Sequence, residues 1–153
     1  MFKYVSTKEA IGSRTAERLE INNHPNCTQY NNMERVVENI FVPIREHFGK
    51  PIYISSFFRS EKLNYTIGGA SKSQHVKGEA LDLDADVYGK MTNIEIGEWL
   101  IGNLDFAQLI FEHWDEDTED YKWIHVSCKK EDNRNQVLEA YKVNGKTKYK
   151  NYD

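Results

Sequence analysis

Apolar residues recur at helical spacing through Val36, Val37, Ile40, Phe41, Ile44 and Phe48. That stripe predicts a helix with one face on a core. Pro43 lies inside it and predicts a kink, because proline lacks the amide donor of the next turn. Gly49 and Pro51 mark its end. Upstream, Ser6 followed by Glu9 has the form of a capping box and opens a short helix that Gly12 closes. Ser13 opens a second helix, through Arg14 to Glu20. The polar stretch from Asn22 to Asn32, with Pro25 inside it, reads as a loop. Thr92 with Glu95 caps a further helix carrying Ile94, Ile96, Trp99, Leu100 and Ile101.

The strand signals have a different period. Ile52-Tyr53-Ile54 is a short β run leading into Ser55-Ser56-Phe57-Phe58-Arg59. Ser60 to Gly78 is loop-like, with Gly68-Gly69 and many small polar residues. Ala80-Leu81-Asp82-Leu83-Asp84-Ala85 alternates strictly and predicts a strand. Gln108 to Glu112 and Trp123 to Cys128 read as two more, separated by an acidic loop from Asp115 to Asp120. Gln136 to Val143 and Lys146 to Tyr149 flank Asn144-Gly145, a pair that favours the type I′ hairpin turn. No repeat, linker or second domain is visible. The expectation is a single α+β domain over 1–153, a small and mainly antiparallel sheet with helices on one face and a groove on the other.

The 153 residues, 39% hydrophobic and 29% charged, are ordinary for a globular domain. The net charge of −4 argues against a nucleic-acid partner, which calls for a basic face. Lys146, Lys148 and Lys150 form the densest basic cluster, but they alternate with Thr147 and Tyr149 as the solvent face of a strand does. Cys27 and Cys128 are too few for a disulfide framework. The opening Met1-Phe2-Lys3-Tyr4-Val5-Ser6 lacks an apolar stretch of signal-peptide length, and no run is long enough to span a membrane. Synthesis in the cytoplasm is therefore expected, with a separate route to any substrate outside the cell.

The residues that bear chemistry start at Ser73-Gln74-His75-Val76-Lys77-Gly78-Glu79-Ala80-Leu81-Asp82. A turn at Gly78 folds His75 back over the strand face that carries Asp82, opposite Leu81 and Leu83. Imidazole nitrogen and carboxylate oxygen both bind zinc, although a structural hydrogen-bonded pair is the competing reading of these two residues alone. His125 supplies a third donor: it shares a strand face with Trp123 and Ser127, while Ile124, Val126 and Cys128 face the core. A hydrolytic zinc site also needs a carboxylate base. Glu112, on the face opposite Leu109 and Phe111, fits if its strand forms a hairpin with that of His125; Glu119 and Asp120 are rivals from the acidic loop. His24, His47 and His113 read as surface or core histidines. Asp82, Asp84 and Asp86 miss the calcium-loop pattern, since Val87 and Asn93 stand where it needs Gly and Glu. Cys128 points away from His125, which argues against a cysteine–histidine pair. HExxH, GxSxG and a phosphate-binding lysine loop are all missing.

On the His75-x-x-Gly78-x-Ala80-x-Asp82 segment preceded by Ser73, and the later Trp123-x-His125, the chain resembles the zinc D-Ala-D-Ala carboxypeptidase family. That family includes phage endolysin peptidases and bacterial vancomycin-resistance dipeptidases, and is related to lysostaphin-type peptidases and the hedgehog signalling domain. Ile54 to Ser60, Leu63-Asn64 and Gly68-Gly69 are similar to the family's Ser-Gly-Tyr-Arg-Ser region. The resemblance implies one zinc ion on His75, Asp82 and His125, Arg59 on the substrate's carboxylate or scissile carbonyl, and Ser73 and Gln74 lining the cleft. Two departures stand out. Lys122 occupies the position, three residues before the last His, where many members carry the catalytic Glu; Glu112 matches the branches that place it at the end of the preceding strand. Phe57 replaces a common Gly.

The function expected is hydrolysis of a peptide bond in the peptidoglycan stem, at D-Ala-D-Ala or at L-Ala-D-Glu, with Glu112 as general base. The protein would act on the cell wall after phage-mediated release or as a component of a virion. The alternative is a non-catalytic, zinc-stabilised module that binds peptide or cell wall.

Overall fold

A computed structural model describes residues 2–153. Its centre is a six-stranded sheet in the order β1-β2-β4-β3-β5-β6. The strands are β1 (Tyr53–Ser56), β2 (Ala80–Asp84), β3 (Gln108–Asp115), β4 (Asp120–Ser127), β5 (Gln136–Val143) and β6 (Lys146–Asn151). Every adjacent pair is antiparallel except β3 with β5. The α+β architecture with a mainly antiparallel sheet therefore matches the reading of the sequence.

Strict alternation explains the two faces. Leu81, Leu83, Leu109, Phe111, Ile124 and Val126 point to one side and are fully buried. Against them pack Met33, Val36, Ile40, Phe41 and Ile44 from the long helical segment, and Ile96 and Leu100 from the helix after β2. Each buried aliphatic or aromatic side chain contributes about 1.5–3 kcal/mol of transfer free energy. The opposite face keeps the polar residues of the same strands.

The helices are α1 (Thr7–Ile11), α2 (Arg14–Arg18), α3 (Cys27–Val36), α4 (Val42–Phe48), α5 (Glu61–Thr66) and α6 (Asn93–Asn103). The caps of α1 and α6 are the expected ones: Ser6 with Glu9, and Thr92 with Glu95. Two stretches read as loop are helical. α3 opens on Asn26, whose side chain accepts from Gln29 N while Gln29 reaches back to Asn26 N. This is a capping box built from Asn and Gln. α5 starts on Ser60, which accepts from Leu63 N. Both helices are largely polar, so no apolar stripe announces them.

Pro43 does not end the long helix. A π turn over Val37–Phe41 joins α3 to α4, and Val42 N donates to Val37 O. The wider turn places Pro43 in the first turn of α4, where a missing amide proton costs nothing. Gly49 closes α4 in the left-handed region at φ 62°.

The acidic loop, expected from Asp115 to Asp120, is the turn 116–119. Asp115 and Asp120 pair as the last rung of the β3–β4 hairpin. Asn144 and Gly145 both have positive φ, 51° and 75°, as a type I′ turn requires. Cys27 is exposed and Cys128 buried, both as free thiols.

Candidate metal centre

The loop that carries His75 is held from outside by α3. Gln29 Nε2 donates to Val76 O at 3.0 Å, and Asn32 Nδ2 donates to Lys77 O at 2.9 Å. They fix a 3-10 turn over Gln74–Lys77. Gly78 follows at φ 72°. A side chain is excluded there by space as well, because a Cβ would lie 2.6 Å from Gln29 O. The chain reverses at Gly78 into β2 and lays His75 over Asp82.

Asp82 and His125 are directly opposed in the β2–β4 pair. His75, Asp82 and His125 are all buried, and one donor atom from each lies within 4.8 Å of the others. Asp82 Oδ1 is 3.1 Å from His75 Nε2 and 2.9 Å from His125 Nδ1. Donors placed tetrahedrally around zinc at about 2.0–2.1 Å are roughly 3.3 Å apart, close to these separations.

The outer contacts set the tautomers. His75 Nδ1 is 2.7 Å from Phe57 O, a carbonyl that only accepts, so Nδ1 carries the proton and Nε2 a lone pair. His125 Nε2 is 2.8 Å from Gln74 Oε1; donation there leaves the lone pair on Nδ1. Two imidazole lone pairs thus converge on one carboxylate oxygen. Protonating an imidazole would relieve the repulsion, but burial pulls the His75 pKa down against the opposing charge of Asp82. Burial alone would raise Asp82, and only the positive charge the two histidines would carry if protonated pulls it below the usual carboxylate range. A bound cation satisfies all three groups at once, and a second contact behind each ligand is the usual construction of a metal site. The residues present fit zinc.

Arg59 completes that outer shell. Its Nη2 donates to Asp82 Oδ2 at 3.0 Å and its Nε to Ser56 Oγ at 2.9 Å. Both Arg59 and Gln74, expected to face substrate, are engaged with the candidate ligands Asp82 and His125. Ser73 lies one residue further out and lines a polar groove with Asn26, Gln29 and Lys72.

Glu112 lies on the same sheet face, two rungs along. The hairpin between β3 and β4 forms as expected, but its register sets Ile110 opposite His125 and Glu112 opposite Trp123. Glu112 is thus a diagonal neighbour of His125. Burial pushes its carboxyl up to about 7, with the charge of His125 opposing and that of Asp82 reinforcing. Its rivals are placed elsewhere. Asp120 is buried and accepts from Asn93 N and Ile94 N at 2.7 and 3.1 Å, capping α6. Glu119 is an exposed residue of the hairpin turn at φ 51°.

His113 is the residue the sequence reading passed over. Strict alternation would send it to the core side with Phe111. Instead its φ of 56° turns the imidazole onto the site face, with Nε2 3.7 Å from Glu112 Oε2 and the ring edge-on to Trp123. Burial, then Lys142 and Lys122, keep its pKa below the ordinary histidine value. A left-handed non-glycine residue inside a strand leaves no signature in the sequence.

A family model described as Peptidase M15 matches residues 13–99, more than half of the chain. The matched segment contains Arg59, His75 and Asp82 and ends before Glu112 and His125. No curated protein matches the chain.

Proposed function

Because the chain belongs to the peptidase M15 family, the zinc D-Ala-D-Ala carboxypeptidase family, we propose that it hydrolyses peptide bonds of the peptidoglycan stem, at D-Ala-D-Ala or at L-Ala-D-Glu. The observation that carries this reading is the convergence of three donor atoms from His75, Asp82 and His125 with Glu112 two rungs away on the same open face.

His75, Asp82 and His125 would hold the ion, and zinc there supplies a Lewis acid that activates water near neutral pH and polarises the scissile carbonyl. Glu112 removes the proton from the attacking water and returns it to the departing amine. Burial raises this carboxyl to about 7 in the metal-free protein, and a cation on the three donors would draw it back toward the ionised form that a base requires. Arg59 keeps Asp82 oriented through Oδ2. Any direct action on the substrate, such as polarising the carbonyl, falls to the rest of its guanidinium. Phe57 O and Gln74 orient the two imidazoles. The route to the wall, by phage-mediated release or as part of a virion, belongs to the same proposal.

The test is mass spectrometry of muropeptides after incubating purified peptidoglycan with zinc-loaded protein. Loss of a single alanine identifies a carboxypeptidase, and a split between L-Ala and D-Glu an endopeptidase. Glu112→Gln should keep zinc and lose turnover. An unchanged profile with zinc bound would favour a zinc-stabilised binding module instead.

A further inference from the structure

We infer that the β5–β6 hairpin supplies a carboxylate-binding corner for the residue that leaves, with Lys142 as its cation and Tyr149 beside it. The inference rests on the peptidase reading above and names a substrate feature that reading leaves open.

The first step is chemical. Glu112 hands its proton to the departing amine, so the leaving residue lies on the Glu112 side of the metal ligands. At either candidate bond that residue carries a free carboxylate on the carbon that bears the new amine: the C-terminal carboxylate of D-Ala, or the α-carboxylate of D-Glu, whose γ-carboxyl continues the chain. A site cutting either bond gains from a cation just beyond Glu112.

The arginine named by the resemblance is badly placed for this. Arg59 sits on the β1–β2 side of the ligands, with Nη2 on Asp82 and Nε on Ser56. Beyond Glu112 the next strands are β5 and then β6. The rung that starts at Trp123 runs through Glu112, Ala140 and Tyr149. Ala140 is fully buried, its methyl lying between the longer side chains of Glu112 and Tyr149 on that rung. The Glu112 charge adds to burial in raising the Tyr149 phenol. Lys142 lies two residues past Ala140 on the same face, and its charge reaches His113. Lys122 pairs with Asp115, and Lys150 with Glu139, whereas Lys142 has no ion pair among the described residues. The corner is therefore a phenol and an imidazole beside the candidate base, with a cation that has no ion pair reaching that imidazole. Every part of it lies beyond the segment that the family model matches.

The probes are the stem pentapeptide L-Ala-γ-D-Glu-L-Lys-D-Ala-D-Ala and its two mono-amidated forms, one at the D-Glu α-carboxylate and one at the C-terminus. Each is incubated with the zinc-loaded protein. Wild type should cut the free acid about five- to tenfold better in kcat/KM than the form amidated on its own leaving residue, the scale of a charge-assisted contact at a half-exposed site. Amidation of the other carboxylate should matter less. Lys142→Met should bring the ratio near one, mainly through KM for the acid. Lys142→Arg should restore it, and Tyr149→Phe should lower it about two- to threefold. Equal cleavage of acid and amide by wild type overturns the corner. So does a Lys142→Met protein that keeps the preference, or a Lys142→Arg protein that loses it. Failure of the zinc-loaded wild type to cut any of the three peptides, with Glu112→Gln indistinguishable from it, overturns the peptidase reading instead.

Discussion

Glu112→Gln should make the metal-free protein more stable at alkaline pH while removing turnover. The Glu112 side chain is only 12% exposed, and its carboxyl is pushed from 4.5 up to about 7. A shift of that size corresponds to at most ~3.4 kcal/mol, at about 1.36 kcal/mol per pH unit. The carboxyl borders the open face of the sheet, so solvent screening brings the expected cost to about 2 kcal/mol. Below about pH 4.5 the group is protonated in folded and unfolded chains alike, and it costs nothing. Between that pH and about 7 the unfolded chain releases its proton while the folded chain retains it, so stability falls as pH rises. Above that window the full cost is present. Glutamine stays neutral throughout. Urea unfolding of EDTA-treated wild type and variant should therefore give a gain near zero at pH 4 and about 2 kcal/mol at pH 8, or a Tm increase of about 4–8 °C for a chain of this size. Zinc should shrink the gain, because a nearby cation favours the ionised carboxylate. A variant no more stable than wild type at pH 8, or one with the same gain at pH 4, would refute the assignment of Glu112 as a carboxylate held at a cost for catalysis.

Three further expectations follow from the same geometry. His125→Ala removes one of three donors and should abolish stoichiometric zinc by elemental analysis, with full occupancy removing His125 from the site. Arg59→Met leaves Asp82 Oδ2 without its 3.0 Å partner, and zinc affinity measured by chelator competition should fall about 10- to 100-fold; an unchanged affinity would mean that the contact does not orient the ligand. Gly78→Ala forces a residue at φ 72° with its Cβ 2.6 Å from Gln29 O, and should cost about 2–4 kcal/mol in urea unfolding; a cost under 1 kcal/mol would mean that the turn yields easily.

Hydrophobic patterning carries information about faces, and what it says about faces in β2, β3 and β4 agrees with the structure up to Glu112. Leu81, Leu83, Leu109, Phe111, Ile124 and Val126 all point inward. That leaves Asp82, His125 and Glu112 on the other side, which is why the candidate site could be assembled from the chain alone. Patterning does not carry register. A shift along a strand by two residues preserves every face, so nothing in the alternation distinguishes Glu112 opposite His125 from Glu112 opposite Trp123, the pairing observed. Nor does it carry partners. Arg59 and Gln74 are the residue types expected near the ligands, but their contacts with Asp82 and His125 depend on where two loops end up. The polar helices were hidden for a related reason: α3 is recognisable only by the Asn26–Gln29 box, and its Gln29 and Asn32 do their work on the backbone of another segment. His113 marks the limit of the method. Its backbone conformation reverses the alternation that makes the rest of β3 readable, so the rule that finds Glu112 misassigns the next residue. The hairpin that places Lys142 and Tyr149 beside this pair is equally invisible to alternation, because its parallel join to β3 is a matter of topology. The proposed corner is thus encoded in strand order and in one left-handed residue, while of the three candidate metal ligands His75 and Asp82 share a local motif and His125 joins them through the pairing of β2 with β4.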